Sequence, residues 1–358
     1  MSTHGTIRLA TRGSDLALRQ AESVREALAE RRYDVELVQV ATRGDEVRDE
    51  LIHRLGKTGA FVRALDERVL DGDVDGAVHS LKDMPTEMPE ELVVAGVPER
   101  APAGDLLVTP NGMGLDELPD GATVGTSSLR RQAQLLSKRS DLDVQPLRGN
   151  VDTRLEKLLA PGLQREHERR LDAEEGERVE THERTPEEWF DELTELERQA
   201  LGREVETEYD AVVLAEAGVR RSGLLDQVES DRLPKGEFVP APGQGAIAVT
   251  ARRGTDAEAS LHEVLDHPRT RVETTVERTV LAELNGGCIA PIGVHAVLRG
   301  ENVHVEAQVL STDGSERIDR SADLPVDDHA NAAVAFARDL RERGAADLVE
   351  RAREDAGE

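Results

Sequence analysis

Short apolar runs alternate with amphipathic stretches through the first hundred residues. Residues 6–11 read as a strand, and Ser14 or Asp15 is placed to cap a helix whose apolar positions are Leu18, Ala21, Val24 and Leu28. Residues 35–41 form a mostly apolar run of the kind found in a covered parallel sheet. Residues 61–70 fit a second helix, and 74–81 and 92–97 fit further strands. The alternation is a βαβ pattern. Residues 98–105, PERAPAGD, read as a linker, after which the pattern restarts. Residues 122–125 lead into the helix SSLRRQAQLL, 143–147 into VDTRLEKLL, and the buried strand 209–214 into GVRRSG.

An acidic, helical segment from about 160 to 207 interrupts this pattern and reads as an insertion. Within it, Thr185-Pro186-Glu187-Glu188 is a helix start with proline in the first turn, and Trp189, Leu193, Leu196 and Ala200 make one apolar stripe. The Pro- and Gly-rich stretch 234–244 is a second crossover, followed by a strand at 245–251. From about Thr255 a long helical pattern passes Val272, Val276, Val280 and Leu284 and stops at Gly286-Gly287. Strands follow at 294–298 and 303–310, Asp313-Gly314 predicts a hairpin turn into a third, and a final helix covers 327 to about 353. The expected domains are 1–98 plus 240–254, 105–236 with the insertion, and an α+β domain over 255–358.

Composition changes the picture in three ways. The chain has 358 residues and 38% apolar residues, but only 2% aromatics, so the cores must be built from Val, Leu, Ile and Ala. Asp and Glu total 73 against 45 for Lys and Arg, a net charge of -28, and lysine is confined to Lys57, Lys82, Lys138, Lys157 and Lys235. Such self-repulsion strains a compact fold at low ionic strength. At molar salt the Debye length shrinks to about 3 Å, so the composition fits a salt-rich cytoplasm. The same charge argues against a nucleic-acid partner. No apolar run approaches the roughly 18 residues of a membrane span, and the start, MSTHGTIRLATRGSD, lacks a signal-peptide pattern, so the expected location is cytoplasmic. The single cysteine, Cys288, excludes an intramolecular disulfide.

The candidate chemistry lies at strand ends. Gly125-Thr126-Ser127-Ser128 precedes Arg130-Arg131, and Leu147-Arg148-Gly149-Asn150 precedes Arg154. Arg12 with Ser14, and Arg220-Arg221, follow other strands. Free N–H groups at helix starts meet anions, and arginine fits carboxylates bidentately. In open α/β sheets ligands sit at the carboxyl ends of strands, so the implied ligand carries several carboxylates or phosphates. The competing reading pairs each arginine with an abundant surface acid. His79-Ser80-Leu81-Lys82-Asp83-Met84-Pro85 closes another strand, and Asp83 there is either an acid, base or cation stabiliser or a simple turn residue before proline. His79 reads as a structural hydrogen-bonder. Asn285-Gly286-Gly287-Cys288 puts the thiol on a loop that permits close ligand approach, where it suits a nucleophile or a covalent tether.

Eight segments in order, IRLATRGSDLAL, TRGD, AVHSLKDMP, VGTSSLRRQAQL, LRGNVDTRL, YDAVVLAEAGVRRSGL, PAPGQGAIAV and ERTVLAELNGGCIAPIG, make the chain resemble the porphobilinogen deaminases, or hydroxymethylbilane synthases. The resemblance implies an α/β fold of three domains, two periplasmic-binding-protein-like lobes with mixed sheets and a C-terminal α+β domain with a three-stranded antiparallel sheet. It implies head-to-tail joining of four porphobilinogen molecules with release of ammonia, then hydrolysis to a linear tetrapyrrole. A dipyrromethane cofactor primes the chain from a thioether that matches Cys288. The catalytic carboxylate matches Asp83, which would stabilise the azafulvenium cation left by ammonia. By motif position Lys82, Thr126, Ser128, Arg130 and Arg131 hold the cofactor, while Arg12, Ser14, Arg148, Arg154 and Arg221 hold the growing chain through its acetate and propionate arms. No metal is implied. The expected state is a monomer that hands its product to uroporphyrinogen III synthase. Two features depart from the family pattern: Lys57 is displaced by one position in the loop 43–60, and the acidic insertion is unusual. The competing readings are a two-lobed periplasmic-type binding protein, which leaves the third domain and Cys288 unexplained, and an enzyme of phosphorylated metabolites.

Overall fold

The computed structural model describes residues 5–40, 58–174, 184–286 and 290–356. Strand β1 (Thr6–Arg12) feeds helix α1 (Asp15–Glu30), whose N-cap is Ser14, and then β2 (Asp34–Val40). Helix α2 (Thr58–Leu70) leads to β3 (Gly76–Ser80) and β4 (Leu92–Gly96). The second lobe runs β5 (Asp105–Val108), β6 (Thr123–Gly125), α3 (Leu129–Lys138), β7 (Asp143–Gln145) and α4 (Val151–Glu174). It continues through α5 (Pro186–Glu192), α6 (Glu195–Leu201), β8 (Ala211–Ala215), α7 (Glu216–Arg221) and β9 (Ser230–Arg232). Strand β10 (Ile247–Arg252) returns to the first lobe, followed by α8 (Asp256–Leu265) and α9 (Pro268–Glu283). Strands β11 (Ile292–Arg299), β12 (Asn302–Leu310) and β13 (Arg317–Pro325) precede α10 (His329–Leu340) and α11 (Ala346–Ala356).

The two lobes repeat one topology. The first sheet has the order β2-β1-β3-β10-β4 and the second β7-β6-β8-β5-β9. In each, three parallel strands are extended by an antiparallel strand that adjoins a crossover. The third sheet, β11-β12-β13, is wholly antiparallel and is covered by α9 and α10. This is the α/β class with two mixed-sheet lobes and a C-terminal three-stranded sheet that the motifs imply.

The cores are aliphatic, as the scarcity of aromatics requires. Ala21, Val24 and Leu28 of α1 pack with Ile7, Leu9 and Val249, each fully buried large side chain contributing roughly 1.5–3 kcal/mol. Leu261 and Leu265 of α8 join this first core, so the helix just after residue 255 packs with the first sheet, while Val276 and Val280 of α9 line the third. Proline at 268 starts α9, which divides the long helical pattern expected from 255 into two helices. The expected final helix is also two, because Gly344 takes φ 97 between α10 and α11, a left-handed conformation that ends a helix. The stripe through Trp189 and Ala200 divides as well: Thr185 and Thr194 each form a capping box, starting α5 and α6 separately. Only the second half is core, with Leu196 buried against Leu155 and Leu158.

The two crossovers run side by side. The Ala101 amide donates to Gly245 O at 3.2 Å, and Arg100 Nε donates to Gln244 O at 2.8 Å. Glu277 of α9, with a fully buried side chain, accepts from both guanidinium nitrogens of Arg100 at 2.7 and 3.0 Å, from the Gly243 amide at 2.7 Å and from the Ala296 amide at 2.8 Å. One carboxylate thus ties both crossovers to the C-terminal domain.

Candidate active site

Strand β3 carries its apolar side chains into the lobe and then closes in a single 3-10 turn, Leu81–Asp83. Leu81 and Met84 are buried on either side, which turns Asp83 outward as an exposed carboxylate and leaves Lys82 half-buried. The turn is held from below: Leu81 N donates to Ala246 O at 3.0 Å, and Gly243, at φ +75, lies where a Cβ would meet Leu81 Cγ at 3.0 Å and Lys82 N at 3.2 Å. Glycine at 243 is therefore what lets the second crossover support the turn. His79 faces inward, with Nε2 3.0 Å from Asp66 Oδ1 and 3.1 Å from Thr250 Oγ1, the structural role expected of it.

In the second lobe the hydroxyls and arginines form two groups. Ser128 caps α3 and accepts from Arg131 N at 3.5 Å, and Thr126 Oγ1 accepts from Ser128 N at 3.2 Å. Arg130 and Arg131 then turn into the lobe, where both meet Asp105, a residue the sequence reading did not single out. Arg130 Nη2 donates to Asp105 Oδ2 at 2.8 Å, and Arg131 donates to Oδ1 from Nη2 at 2.8 Å and Nε at 3.1 Å. Arg130 also donates from Nη1 to Gln134 Oε1 at 2.8 Å and to Val239 O at 3.0 Å; its Nε is buried without a hydrogen bond among the described residues. Arg131 adds a 3.1 Å bond to Val213 O and keeps further N–H groups. The two guanidinium groups hold the Asp105 carboxyl well below the usual carboxylate range, against the opposing effect of burial. Asp105 stands at the first residue of a strand after the linker, where a buried acid gives no pattern signal. Arginine side chains were expected here; the carboxylate that pairs with both was not.

The remaining arginines are less committed. Arg154, one turn into α4, donates Nε to Gly149 O at 2.8 Å. Burial first, and the neighbouring Arg131 charge second, lower it to about 10, while Asp83 pulls it back up. Arg148 is half-buried, and its guanidinium has no hydrogen bond or ion pair among the described residues. Arg221, at the end of α7, donates Nη2 to Gly245 O at 2.7 Å and so reaches the second crossover; burial lowers its pKa. Arg12 ends β1 half-buried, and Ser14 spends its hydroxyl accepting from Ala17 N at 3.4 Å. Cys288 and Lys57 lie outside the described residues.

Electrostatics joins these groups into one site. Lys82 is raised by Asp83 beside it, but burial together with Arg131 and Arg154 outweighs that, and its pKa falls below the ordinary lysine value. Lys82 and Asp83 from the first lobe and Arg131 and Arg154 from the second are thus within each other's field, with Asp105 behind. Cations outnumber carboxylates here in a chain of net charge -28. That imbalance suits a ligand with more than one carboxylate.

Two mixed-sheet lobes with a carboxylate turn on one side and cationic helix starts on the other define an α/β enzyme that handles a polyanionic small molecule. Its relatives are specific. The model of the porphobilinogen deaminase dipyromethane cofactor binding domain matches residues 7–171 and 194–260, and that of the porphobilinogen deaminase C-terminal domain matches 272–342. A probable porphobilinogen deaminase of Halobacterium salinarum is 52% identical over 98% of this chain and 99% of its own length. Another of Methanococcoides burtonii is 38% identical over 96% of each chain, and a porphobilinogen deaminase of Rubrobacter xylanophilus is 39% identical over 87% of this chain and 86% of its own. Among solved structures, the methionine binding protein MetQ aligns at 14% identity and TM-score 0.35, covering 72% of this chain and 89% of that one.

The chain belongs to the porphobilinogen deaminase family. It is an enzyme that polymerises porphobilinogen in tetrapyrrole biosynthesis, and it carries the family's dipyrromethane cofactor-binding domain. The family match skips 172–193, so the inserted piece is shorter than the 160–207 read from composition: α4 continues through the expected start, and α6 belongs to the lobe core. No helix among the described residues is long and apolar enough to cross a membrane.

Proposed function

We propose that Asp83 is the catalytic carboxylate of this deaminase and that Cys288 tethers its dipyrromethane. The observation that carries the reading is the gathering of Lys82, Arg131 and Arg154 from two lobes around Asp83. The donor set fits a group bearing acetate and propionate arms: Arg131 keeps N–H groups beyond those given to Asp105 and Val213, Arg154 is bonded through Nε, and Arg148 is uncommitted among the described residues. When bound, the dipyrromethane supplies the primer to which the first porphobilinogen is joined. Lys82, Arg131 and Arg154 hold carboxylates by charge-assisted hydrogen bonds, and Thr126 and Ser128 add hydroxyls at the start of α3. Arg12, Ser14, Arg148 and Arg221 take the arms of the lengthening chain. Arg130, with its charge met by Asp105, acts chiefly by holding α3 to the crossovers. Asp83 stabilises the positive charge that develops as ammonia leaves porphobilinogen, and accepts and returns a proton at the pyrrole.

The chain folds as domains 1–98 with 240–265, 105–236 and 268–358, because Leu261 and Leu265 pack with the first lobe, and it acts as a cytoplasmic monomer in a salt-rich cell that passes its product to uroporphyrinogen III synthase. The acidic composition and the halobacterial relative support the salt assignment. The deciding experiment is the intact mass of the purified protein beside Cys288→Ser. A mass excess equal to a dipyrromethane in the parent and absent from the variant is expected. An unmodified parent that gains nothing from added porphobilinogen would remove Cys288 from the role.

A further inference from the structure

Helix α9 sends one side chain into the catalytic turn. Arg278 donates from Nη1 to Leu81 O and to Met84 O, both at 3.2 Å, and from Nη2 to Pro85 O at 2.5 Å. These carbonyls bracket Lys82 and Asp83. Among the described residues no carboxylate pairs with Arg278, and burial lowers its pKa, so its charge is met by main-chain oxygens alone. Arg278 is half-buried, and such an arrangement costs free energy unless the carbonyls are well directed, because a guanidinium withdrawn from water ordinarily takes a carboxylate partner. Its neighbour Glu277 fixes α9 to both crossovers, and Gly243, bonded to Glu277, supports the same turn from the other side. The helix ends at Glu283 with Leu284 as its C-cap, and Asn285 follows in the left-handed conformation at φ 50, three residues before Cys288.

We propose that Arg278 is a positioning residue for the reaction: it fixes the Leu81–Pro85 backbone, and through it the Lys82 and Asp83 side chains, relative to the helix that leads to the Cys288 loop. It binds no substrate arm. It spends its donors on the turn, and the Asp83 side chain has no hydrogen bond or ion pair among the described residues, so it stays available to the reacting pyrrole. The inference rests on Asp83 being the catalytic carboxylate. Misplacing a catalytic group by about 1 Å costs on the order of 100-fold in rate. A guanidinium replaced by an ammonium retains charge but cannot span three carbonyls.

The test compares Arg278→Leu and Arg278→Lys with the parent and with Asp83→Asn, counting turnover per molecule that carries the cofactor mass and working well below each melting temperature. Arg278→Leu is expected to lose about 10- to 100-fold in kcat with KM for porphobilinogen within two-fold of the parent, Arg278→Lys to fall between, and added guanidinium to restore part of the kcat of Arg278→Leu. Amide exchange of residues 81–86 is expected to rise at least ten-fold in Arg278→Leu while β3 stays protected. If Arg278→Leu does not fold, Arg278→Lys carries the same comparison. A kcat within two-fold of the parent, or unchanged exchange across 81–86, would overturn the proposal. Full turnover in Asp83→Asn with altered exchange in Arg278→Leu would instead mean that the Asp83 assignment is at fault.

Discussion

Replacing Asp105 by Asn removes one negative charge from between two arginines that are only 4% and 5% exposed. The substitution keeps size and shape, so the loss is electrostatic: the bonds from Arg130 Nη2 and from Arg131 Nη2 and Nε lose their charged acceptor. Breaking a buried ion pair from one side typically costs about 3–5 kcal/mol, because the remaining charge stays buried and uncompensated. Here two charges are stranded, and the upper part of that range is expected. For domains of this size 1 kcal/mol moves the melting temperature by about 2–4 °C, which gives a drop of roughly 8–20 °C in the second-lobe transition. Differential scanning calorimetry reads it, with each transition followed separately since a multi-lobed chain need not unfold in one step. Asp105→Asn with Arg130→Met should recover a measurable part of the loss, as one stranded charge is gone. The acid side supplies a check: the Asp105 carboxyl is held below its unfolded value of 3.8, so its contribution is complete above that pH and disappears as pH falls further below it. A loss under about 1 kcal/mol for Asp105→Asn would refute the idea that this carboxylate offsets the charge of the pair.

Asp83→Asn should keep the melting temperature within about 2 °C and the bound cofactor, but lose nearly all turnover; an assay with porphobilinogen and a mass spectrum decide it. Arg148→Leu should impair cofactor assembly or chain growth, seen as a lower product yield, and normal yield would remove Arg148 from the anion set. His295 is lowered to about 3 by burial and then by Arg100 and Lys235, so the folded protein keeps it neutral while the unfolded chain protonates it below about 6.5. Stability should therefore fall as pH drops; between pH 7.5 and 5.0 this histidine contributes a loss of about 2 kcal/mol, and urea titrations of His295→Gln should show a decline smaller by that amount. Potassium chloride at molar concentration should raise the melting temperature well above its value in dilute buffer, and a flat salt response would end the salt-adaptation reading.

The elements around the site were readable because they rest on local chemistry. Ser14 and Ser128 cap their helices as hydroxyls do, and the apolar positions Ala21, Val24 and Leu28 point where a period of 3.6 sends them. Asp83 and the arginines were legible from a motif combined with a strand end. What was hidden depends on long-range partners. Asp105 and Arg130 are 25 positions apart, Arg100 and Glu277 are 177 apart, and Arg278 meets Leu81 across 197. No local period marks a residue whose partner lies far along the chain. Periodicity also misjudged continuity, since it runs through Pro268, Leu193 and Gly344, where proline, a capping threonine and a left-handed glycine each start or stop a helix.

The placement of β10 has a consequence for how the chain is made. Among the described residues strand β4 pairs only with β10, and β3 finds its second neighbour in β10 as well. A nascent chain that has emerged as far as residue 240 therefore holds a complete second sheet beside a first sheet split in two, with the facing edges of β3 and β4 both open. The lobe translated first cannot close until the lobe translated second has passed, so a ribosome stalled between them would present two unpaired strand edges to its surroundings.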